Sequence, residues 1–256
     1  MNKMLAETIM IVDDSEDILE FLSLDLGETY NVLTAEDGRM ALEMLKKETV
    51  SLVISDVMMP VMDGFELCEK IKSEVEFSHI PVILLTAKNT IQSKIEGLHS
   101  GADVYIEKPF SIEYLTAQIE SMLKNRNKVK EYFANSPLAS ISSIAHSKKD
   151  VEFVENLGRY INENITNEDL DVDLIARYLN VSRPTLYRKI GSVTDMSPNE
   201  MINLTRLKKA AALLQEGYRV SEVYHMVGFN TPTQFGRNFQ KQFNITPSEF
   251  IKKSAT

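Results

Sequence analysis

The sequence contains one cysteine and no tryptophan among its 256 residues. A single cysteine excludes an intramolecular disulfide, which fits a protein in a reducing compartment. No apolar run approaches the ~20 residues of a membrane-spanning helix, and the N-terminus lacks the apolar stretch of a secretory signal. We therefore expect a cytoplasmic protein with no membrane contact, in which Cys68 packs as a small apolar side chain.

Several enzyme signatures are also missing. The four histidines show no metal-ligand spacing, and neither G-x-G-x-x-G nor G-x-x-x-x-G-K-[ST] occurs, so ATP use by this chain is not expected. The nucleophile elbow and the zinc protease motif are absent too. We therefore do not expect an enzyme.

The charges are divided unevenly along the chain. Residues 1–128 hold 12 Lys+Arg and 23 Asp+Glu, a balance of −11, within an overall net charge of −9. Residues 177–256 hold 12 basic and 5 acidic residues, a balance of +7. This segregation indicates that only the C-terminal part meets an anionic partner.

The first ~125 residues alternate short apolar runs with amphipathic segments. The runs are nearly continuous, as in parallel strands buried on both faces, and the segments between them have helical spacing. Five βα units predict a doubly wound, five-stranded parallel α/β sheet of the flavodoxin-like kind. The predicted strands are 8–13, 30–35, 51–56, 81–86 and 103–108, and the predicted helices include 15–27, the segment with Ile91, Ile95 and Leu98, and 112–124.

Strand patterns disappear after residue ~150, where short helical pieces are separated by Asn, Ser, Pro and Gly. The intervening stretch is polar and partly Ser-rich, which is typical of a linker, although Val129, Tyr132 and Phe133 allow the preceding helix to continue. We predict an α/β domain over 1–125, a linker over 126–150 and an all-α domain over 151–256.

Polar groups follow four of the predicted strands: Asp13 and Asp14, then Asp56, Thr86 and Lys108. Ligands of open parallel sheets bind at the carboxyl ends of the strands, so these groups are expected to gather there. Three neighbouring carboxylates repel one another, and their oxygens suit a hard cation such as Mg²⁺. Taken singly, Asp13 and Asp14 can instead cap a helix, and Asp56 can be a turn residue.

This part resembles the receiver domain of bacterial two-component response regulators. The motifs that carry the resemblance are IVDDSED at 11–17, ISDVMMPVMDG at 54–64, LLTA at 84–87 and VYIEKPF at 104–110. The resemblance implies that Asp56 accepts a phosphoryl group. It also implies that Mg²⁺ is bound by Asp13, Asp14, Asp56 and the backbone carbonyl of Met58.

Three further roles follow from the same resemblance. Thr86 and Lys108 would hold the phosphoryl oxygens, and Tyr105 would be an aromatic switch residue. The alternative for Tyr105 is an ordinary buried aromatic of a strand. The resemblance further implies a cis peptide bond between Lys108 and Pro109.

The C-terminal part contains two patterns typical of helix-turn-helix units, over 172–190 and 220–243. Ser182 and Thr231 are candidate N-caps of the second helix of each unit. A long helix, 198–217, connects the units and ends at Gly217. Phe235, Phe239 and Phe243 recur every four residues, which favours a core role over a surface one.

This part resembles the AraC/XylS family of transcription activators over about 155–253. The marks are IARYLNVSRPTLYRKI, RLKKAAALL and VYHMVGFNTPTQFGRNFQKQFNITPSEF. The resemblance implies that the two recognition helices face double-stranded DNA through Arg183, Thr185, Tyr187, Arg188, Thr233, Gln234 and Arg237.

Phosphate neutralisation dominates affinity for DNA, so exposed cations favour this function. We expect the basic side chains of this part to be exposed, namely Arg183, Arg188, Lys189, Arg206, Lys208, Lys209, Arg237 and Lys241. Pro184 stands where many relatives carry a large side chain, which weakens the base-reading assignment for the first recognition helix.

Three functions are consistent with these patterns. The first is a transcription regulator controlled by phosphorylation of Asp56, with a histidine kinase or kinase domain as donor and a homodimer as the phosphorylated form. The second is the C-terminal part of a hybrid sensor kinase, which the order of the two parts also resembles. The third is a phosphorelay module whose helical part binds protein.

Overall fold

The computed structural model describes residues 7–87, 100–135, 148–194 and 196–254. The chain divides into two compact units, Met1–Lys128 and Val129–Thr256. The predicted limits of domains and linker, at 125 and 151, remain predictions. Among the described residues, no helix has both the length and the apolar character needed to cross a membrane.

The first unit is built on a five-stranded sheet with the order β2-β1-β3-β4-β5, and every neighbouring pair is parallel. This confirms the predicted doubly wound α/β fold. The strands are β1 Thr8–Val12, β2 Asn31–Ala35, β3 Leu52–Asp56, β4 Val82–Thr86 and β5 Val104–Glu107.

Apolar side chains cover both faces of this sheet. Met10 and Val12 of β1 pack on one face, whereas Ile9 and Ile11 pack on the other. Successive side chains of a strand point to opposite faces, so a strand buried on both sides must be apolar at every position. The continuous apolar runs in the sequence have this cause.

Helices connect the strands of the first unit. Asp37 and Asp63 cap two of them, each accepting a hydrogen bond from a backbone N–H three residues later. The predicted helix that contains Ile91, Ile95 and Leu98 lies outside the described residues. The described helices are α1 Glu16–Leu26, α2 Gly38–Leu45, α3 Gly64–Ser73 and α4 Ile112–Asn135.

Helix α4 is longer than the predicted helix 112–124, and the first ten residues of the predicted linker are helical. The sequence NRNKVKEYFAN at 125–135 contains neither glycine nor proline, and Pro137 follows two residues later. No residue of this stretch therefore favours the end of a helix before Asn135.

Cys68 is fully buried in the core between the sheet and α3, as predicted. Burial raises the pKa of its thiol to about 11, because the charged thiolate would lose its hydration. At pH 7.5 the native protein should therefore be alkylated by iodoacetamide far more slowly than the same chain in urea. Equal rates in the two conditions, measured by mass spectrometry, would show that Cys68 is accessible.

Helices are the only regular elements among the described residues of the second unit. Its long helix α8 begins at a capping box formed by Ser197 and Glu200, and its C-terminal end is followed by Gly217 at φ +94°. The described helices are α5 Lys148–Glu163, α6 Val172–Tyr178, α7 Arg183–Thr194, α8 Pro198–Gln215, α9 Val220–Met226, α10 Pro232–Phe243 and α11 Pro247–Ser254.

Both predicted helix-turn-helix units are present, as α6–α7 and α9–α10. Each turn contains a residue in the left-handed region, Asn180 at φ 54° and Gly228 at φ +77°. Gly228 is also required sterically, because a Cβ atom there would lie 2.3 Å from the carbonyl oxygen of Ile165. Ser182 and Thr231 accept hydrogen bonds from backbone N–H groups of α7 and α10, which confirms both predicted caps.

Candidate functional site

The carboxyl edge of the sheet brings together residues that are distant in sequence. Asp13 directly follows β1, Asp56 ends β3, and the register pairs Asp56 with Leu85 of β4. The side chains of Asp13 and Asp56 are almost completely buried, and Thr86 at the end of β4 is fully buried. Parallel strands end at a common edge, which is why the sequence could place these groups together.

Lys108, just after β5, links the two buried carboxylates. Its Nζ lies 2.5 Å from Oδ1 of Asp56 and 3.1 Å from Oδ2 of Asp13. Burial alone would lower the pKa of Lys108, but the hydrogen bonds and charges of Asp56 and Asp13 outweigh it and raise the pKa. Lys108 therefore stays protonated at neutral pH and balances part of the negative charge at this edge.

The backbone around Asp56 fixes the direction of its carboxylate. The Met58 N–H donates to Oδ2 of Asp56 over 2.6 Å, and the Gly64 N–H donates to the Val57 carbonyl over 3.0 Å. One carboxylate oxygen is thus held by a backbone N–H and the other by Lys108. The carboxylate is 10% exposed, which leaves a narrow approach from solvent.

Replacing Gly64 with alanine should displace this loop. A Cβ atom at Gly64 would lie 2.1 Å from the carbonyl oxygen of Asp56, so the backbone of one segment must move. Overpacking of this kind costs about 1–3 kcal/mol, and it would shift the Asp56 carboxylate relative to Lys108. We expect Gly64→Ala to lower the midpoint of urea unfolding and to slow phosphoryl uptake from acetyl phosphate at least several-fold. Gly191→Ala, where a Cβ meets nothing closer than 4.0 Å, is the matched control.

Asp14 does not join the other two carboxylates. It is exposed, whereas Asp13 is buried and accepts a hydrogen bond from the Ser15 N–H. The described residues contain no group of three side chains placed to hold a metal ion, so the expected gathering of three carboxylates is not found. Asp14 lies between β1 and α1 with its side chain exposed, whereas Lys108 contacts Asp13 and Asp56.

The oxygen donors present nevertheless suit a hard divalent cation. Two buried carboxylates lie on either side of Lys108 Nζ, and exposed Asp14 directly follows Asp13. Mg²⁺ usually keeps several waters and takes only one or two carboxylates, so a set of three fixed ligands is not required.

Tyr105 lies on β5, where the register pairs it with Leu84 of β4. Its ring is half-buried and stacks on Phe65 with centroids 6.5 Å apart. Its hydroxyl is buried and makes no hydrogen bond with any residue that the structure describes. A tyrosine hydroxyl normally finds a partner when it is buried, so this position differs from an ordinary core aromatic. The Lys108–Pro109 peptide bond is cis, as the resemblance implied.

The predicted DNA-facing residues of α7 are only partly exposed, and Arg183 and Thr185 already contact neighbouring side chains. Arg183 is exposed, but it makes an ion pair of 3.2 Å with Asp173 and lies over the ring of Tyr187. The hydroxyl of Thr185 makes a hydrogen bond of 2.7 Å with Ser182, and the side chains of Thr185, Tyr187 and Arg188 are half-buried.

The second recognition helix has a clearer division between its faces. Phe235 and Phe239 are fully buried, and Phe243 packs against the same core, which confirms the predicted core role. The opposite face presents Thr233, Gln234 and Arg237 to solvent. A helix with one fixed apolar face and one exposed polar face matches the docking geometry of a recognition helix.

Two of the expected exposed cations are buried, which corrects the sequence-based expectation. Lys189 is 0% exposed and makes an ion pair with buried Asp150 of α5. Arg206 is 7% exposed, and it donates a hydrogen bond of 2.6 Å to the Asn167 carbonyl and lies over the Phe229 ring. Lys189 joins α7 to α5, and Arg206 joins α8 to the connecting segments that contain Asn167 and Phe229, so neither is placed at the surface to neutralise a phosphate.

Asp150 was not recognised in the sequence. It falls at the end of the predicted linker, where a charged residue between Lys149 and Val151 has no visible partner. Lys189 is likewise one of two adjacent cations, with Arg188 beside it. Consecutive side chains of a helix point in different directions, so Lys189 is buried while Arg188 stays half-exposed.

Two family models match the chain. Residues 9–120 match the response regulator receiver domain, and residues 175–253 match a helix-turn-helix domain. The first match covers the edge with Asp13, Asp56 and Lys108, and the second begins within α6 and covers the rest of both helix-turn-helix units.

Individual relatives share one or both parts. "Histidine kinase P4" of Formosa agariphila is 42% identical over 244 residues, which are 95% of this chain and 18% of that protein. "Probable transcriptional regulator ycf27" of Porphyridium aerugineum is 39% identical over 146 residues, 57% of this chain and 59% of that protein. The chain thus spans less than two thirds of the length of these relatives. The crystal structure of the signal receiver domain of a signal transduction histidine kinase from Syntrophus aciditrophicus has 38% identity and a TM-score of 0.45, covering 46% of this chain and 91% of that one.

Proposed function

Because this chain joins a response regulator receiver domain to a helix-turn-helix domain of the AraC type, we propose that it is a DNA-binding regulator controlled by phosphorylation of Asp56. The observation that carries the proposal is the Asp56 carboxylate held between Lys108 and the Met58 N–H. It acts as a regulator rather than as an enzyme with a separate substrate.

The proposed chemistry is an in-line phosphoryl transfer. A carboxylate oxygen of Asp56 forms a bond to phosphorus, the bond from phosphorus to the donor breaks, and the electron pair leaves with the donor. The product is an acyl phosphate, whose oxygens the Lys108 ammonium and the Thr86 hydroxyl bind. Positioning and electrostatics account for most of such a transfer.

Mg²⁺ fits this edge of the sheet as the second source of positive charge. Asp13, Asp14, Asp56 and the Met58 carbonyl would hold it, either directly or through the waters that Mg²⁺ keeps, and it would neutralise charge on the phosphoryl group. In the described part of the chain, Lys108 is the basic side chain that contacts Asp56. Other Arg and Lys residues therefore do not supply the second positive charge.

We propose that the phosphorylated edge signals through Thr86 and Tyr105. When Thr86 binds a phosphoryl oxygen, the half-buried Tyr105 ring would change its position against Phe65. The changed surface would favour a homodimer, which raises occupancy of paired DNA sites through effective concentration. A histidine kinase or kinase domain would be the phosphoryl donor.

Double-stranded DNA is the proposed target of the helical unit. The exposed face of α10 carries Arg237 and Gln234, which can bind guanine and adenine by paired hydrogen bonds. Arg183, Thr185, Tyr187 and Arg188 of α7 would meet the adjacent major-groove segment. The basic balance of residues 177–256 favours DNA over a protein partner.

Arg237→Ala should weaken binding to a selected DNA site by about 1–3 kcal/mol and relax preference at one base position, because a bidentate contact to a base edge is lost. Fluorescence anisotropy with the selected site and its single-base variants measures both effects. Arg159→Ala, which removes an exposed cation of α5 outside both helix-turn-helix units, is the matched control. An equal loss for every sequence would assign Arg237 to a phosphate contact instead.

The proposal as a whole is tested by two measurements on one sample. Intact-protein and peptide mass spectrometry after treatment with acetyl phosphate and Mg²⁺ should place one phosphoryl group on the peptide with Asp56. Retention of genomic DNA fragments should then fall steeply with salt. Phosphorylation without any salt-dependent DNA retention would favour a phosphorelay module whose helical unit binds protein.

A second candidate is a longer hybrid histidine kinase that contains this chain. The match to 95% of this chain within 18% of "Histidine kinase P4" favours it. Immunodetection of the protein in its native cells, with an antibody raised against this chain, separates the two by size. In the hybrid, the same Asp56 would receive the phosphoryl group from a kinase domain of its own polypeptide.

A further inference from the structure

A buried ion pair joins the first turn of α5 to the first recognition helix. Lys189 Nζ of α7 binds Oδ1 of Asp150, and the two side chains are 0% and 1% exposed. By contrast, the ion pair of Arg183 with Asp173 lies at the surface of this unit, and its two side chains are each 55% exposed. The Lys189–Asp150 pair is therefore a deeply desolvated link between two helices.

Stability is a poor reason for such a pair. Removing two charges from water costs several kcal/mol for each ion, and apolar side chains of similar volume often serve equally well or better. A short contact between opposite charges differs from apolar packing because it is directional. It favours one rotation and one axial position of α7 relative to α5, whereas apolar contacts allow small shifts at little cost.

The position of the pair connects it to the DNA-facing surface. Lys189 directly follows Arg188 and lies one helical turn after Thr185, so it shares a face of α7 with that half-buried residue and is itself fully buried. Helix α5 packs against α6 and α8 and precedes residues 175–253, which the helix-turn-helix family model matches. Asp150 thus reaches the recognition helix from outside the matched region.

We propose that the Asp150–Lys189 pair is a positioning device that holds α7 in the orientation that reads DNA. Helix α5 is then an integral part of the DNA-reading unit, and Asp150 and Lys189 are positioning residues that touch no base. The assignment of α7 to DNA rests on the proposed function, whereas the fixed orientation of α7 on α5 does not.

Three variants separate orientation from stability. Asp150→Val with Lys189→Met replaces the pair by apolar side chains and leaves no buried charge unpaired. Asp150→Asn with Lys189→Gln keeps a neutral hydrogen bond between the helices. Asp173→Asn removes the exposed ion pair that joins α6 to Arg183 of α7 and is the control for charge removal alone.

The first readout is hydrogen–deuterium exchange of the full chain without DNA. In the apolar variant we expect amides of α7 to exchange roughly tenfold faster than in the wild type, while amides of α10 keep their rates. The neutral hydrogen-bonded variant should restore slow exchange in α7, and Asp173→Asn should leave it unchanged. The comparison of α7 with α10 inside each variant corrects for any change in overall stability.

The second readout is the base preference of DNA fragments retained by each variant. The apolar variant should lose preference in the half of the site that α7 reads and keep it in the half that α10 reads, with rescue by the neutral pair. Unchanged α7 exchange in the apolar variant, or an equal acceleration in α7 and α10, would overturn the proposal. Retention of no DNA by the wild type would overturn the proposed function, while faster exchange confined to α7 would still support the fixed orientation.

Discussion

The Asp56→Ala protein is expected to take up no phosphoryl group and to bind DNA with one affinity, whether or not acetyl phosphate and Mg²⁺ are present. The substitution removes the only proposed attacking oxygen. Lys108 keeps Asp13 as a partner at 3.1 Å, and Asp56 belongs to no apolar cluster, so the fold should persist. The effect on phosphorylation should therefore be complete, while the circular dichroism spectrum stays that of the wild type.

A matched control for this variant is Asp25→Ala, which removes an exposed carboxylate on α1, away from the carboxyl edge of the sheet. It should be phosphorylated at the wild-type rate and should respond to phosphorylation in the same way. Phosphoryl uptake by Asp56→Ala on a different residue, with the same change in DNA affinity, would contradict the assignment of Asp56 as the controlling site.

Phe239→Ala is expected to lower the free energy of unfolding of the helical unit by about 3–5 kcal/mol, the usual cost of truncating a buried phenylalanine. The ring is fully buried, and its centroid lies 4.5 Å from that of Phe243 and 5.4 Å from that of Phe250. These contacts fix α10 against α11, so the cavity cannot close without moving the recognition helix. Urea unfolding followed by far-ultraviolet circular dichroism measures the change.

Gln240→Ala is the neighbouring control, because Gln240 is exposed on the same helix. Its free energy of unfolding should stay within about 0.5 kcal/mol of the wild type, as for most surface substitutions. A small loss for Phe239→Ala, comparable with that of Gln240→Ala, would mean that the phenylalanine cluster does not hold α10 in place.

Much of the fold can be predicted from patterns of apolar and polar residues in the sequence alone. The continuous apolar runs predict buried parallel strands because every side chain of such a strand meets a helix layer. The positions of Asp13, Asp56, Thr86 and Lys108 near strand ends then predict a shared edge, since parallel strands end together. The spacing of Phe235 and Phe239 predicts the buried face of α10 in the same way.

The features that sequence reasoning missed depend on tertiary partners. A lysine beside an arginine on a basic helix is normally exposed to solvent. Lys189 is buried because its charge is paired with that of buried Asp150. Arg206 was expected at the surface for the same reason, although Phe229 and the Asn167 carbonyl surround it. The exposure of Asp14 beside buried Asp13 depends on the path of the chain after β1, which the sequence does not specify.

The most direct test of phosphorylation-controlled DNA binding is the retention of fragmented genomic DNA by the wild-type chain, before and after treatment with acetyl phosphate and Mg²⁺, with sequencing of the retained fragments. Phosphorylation of Asp56 should enrich a defined set of sites and raise their affinity, and Asp56→Ala should show no such change. Identical retention in both states, with Asp56 shown to be phosphorylated, would contradict the proposed control of DNA binding by the receiver domain.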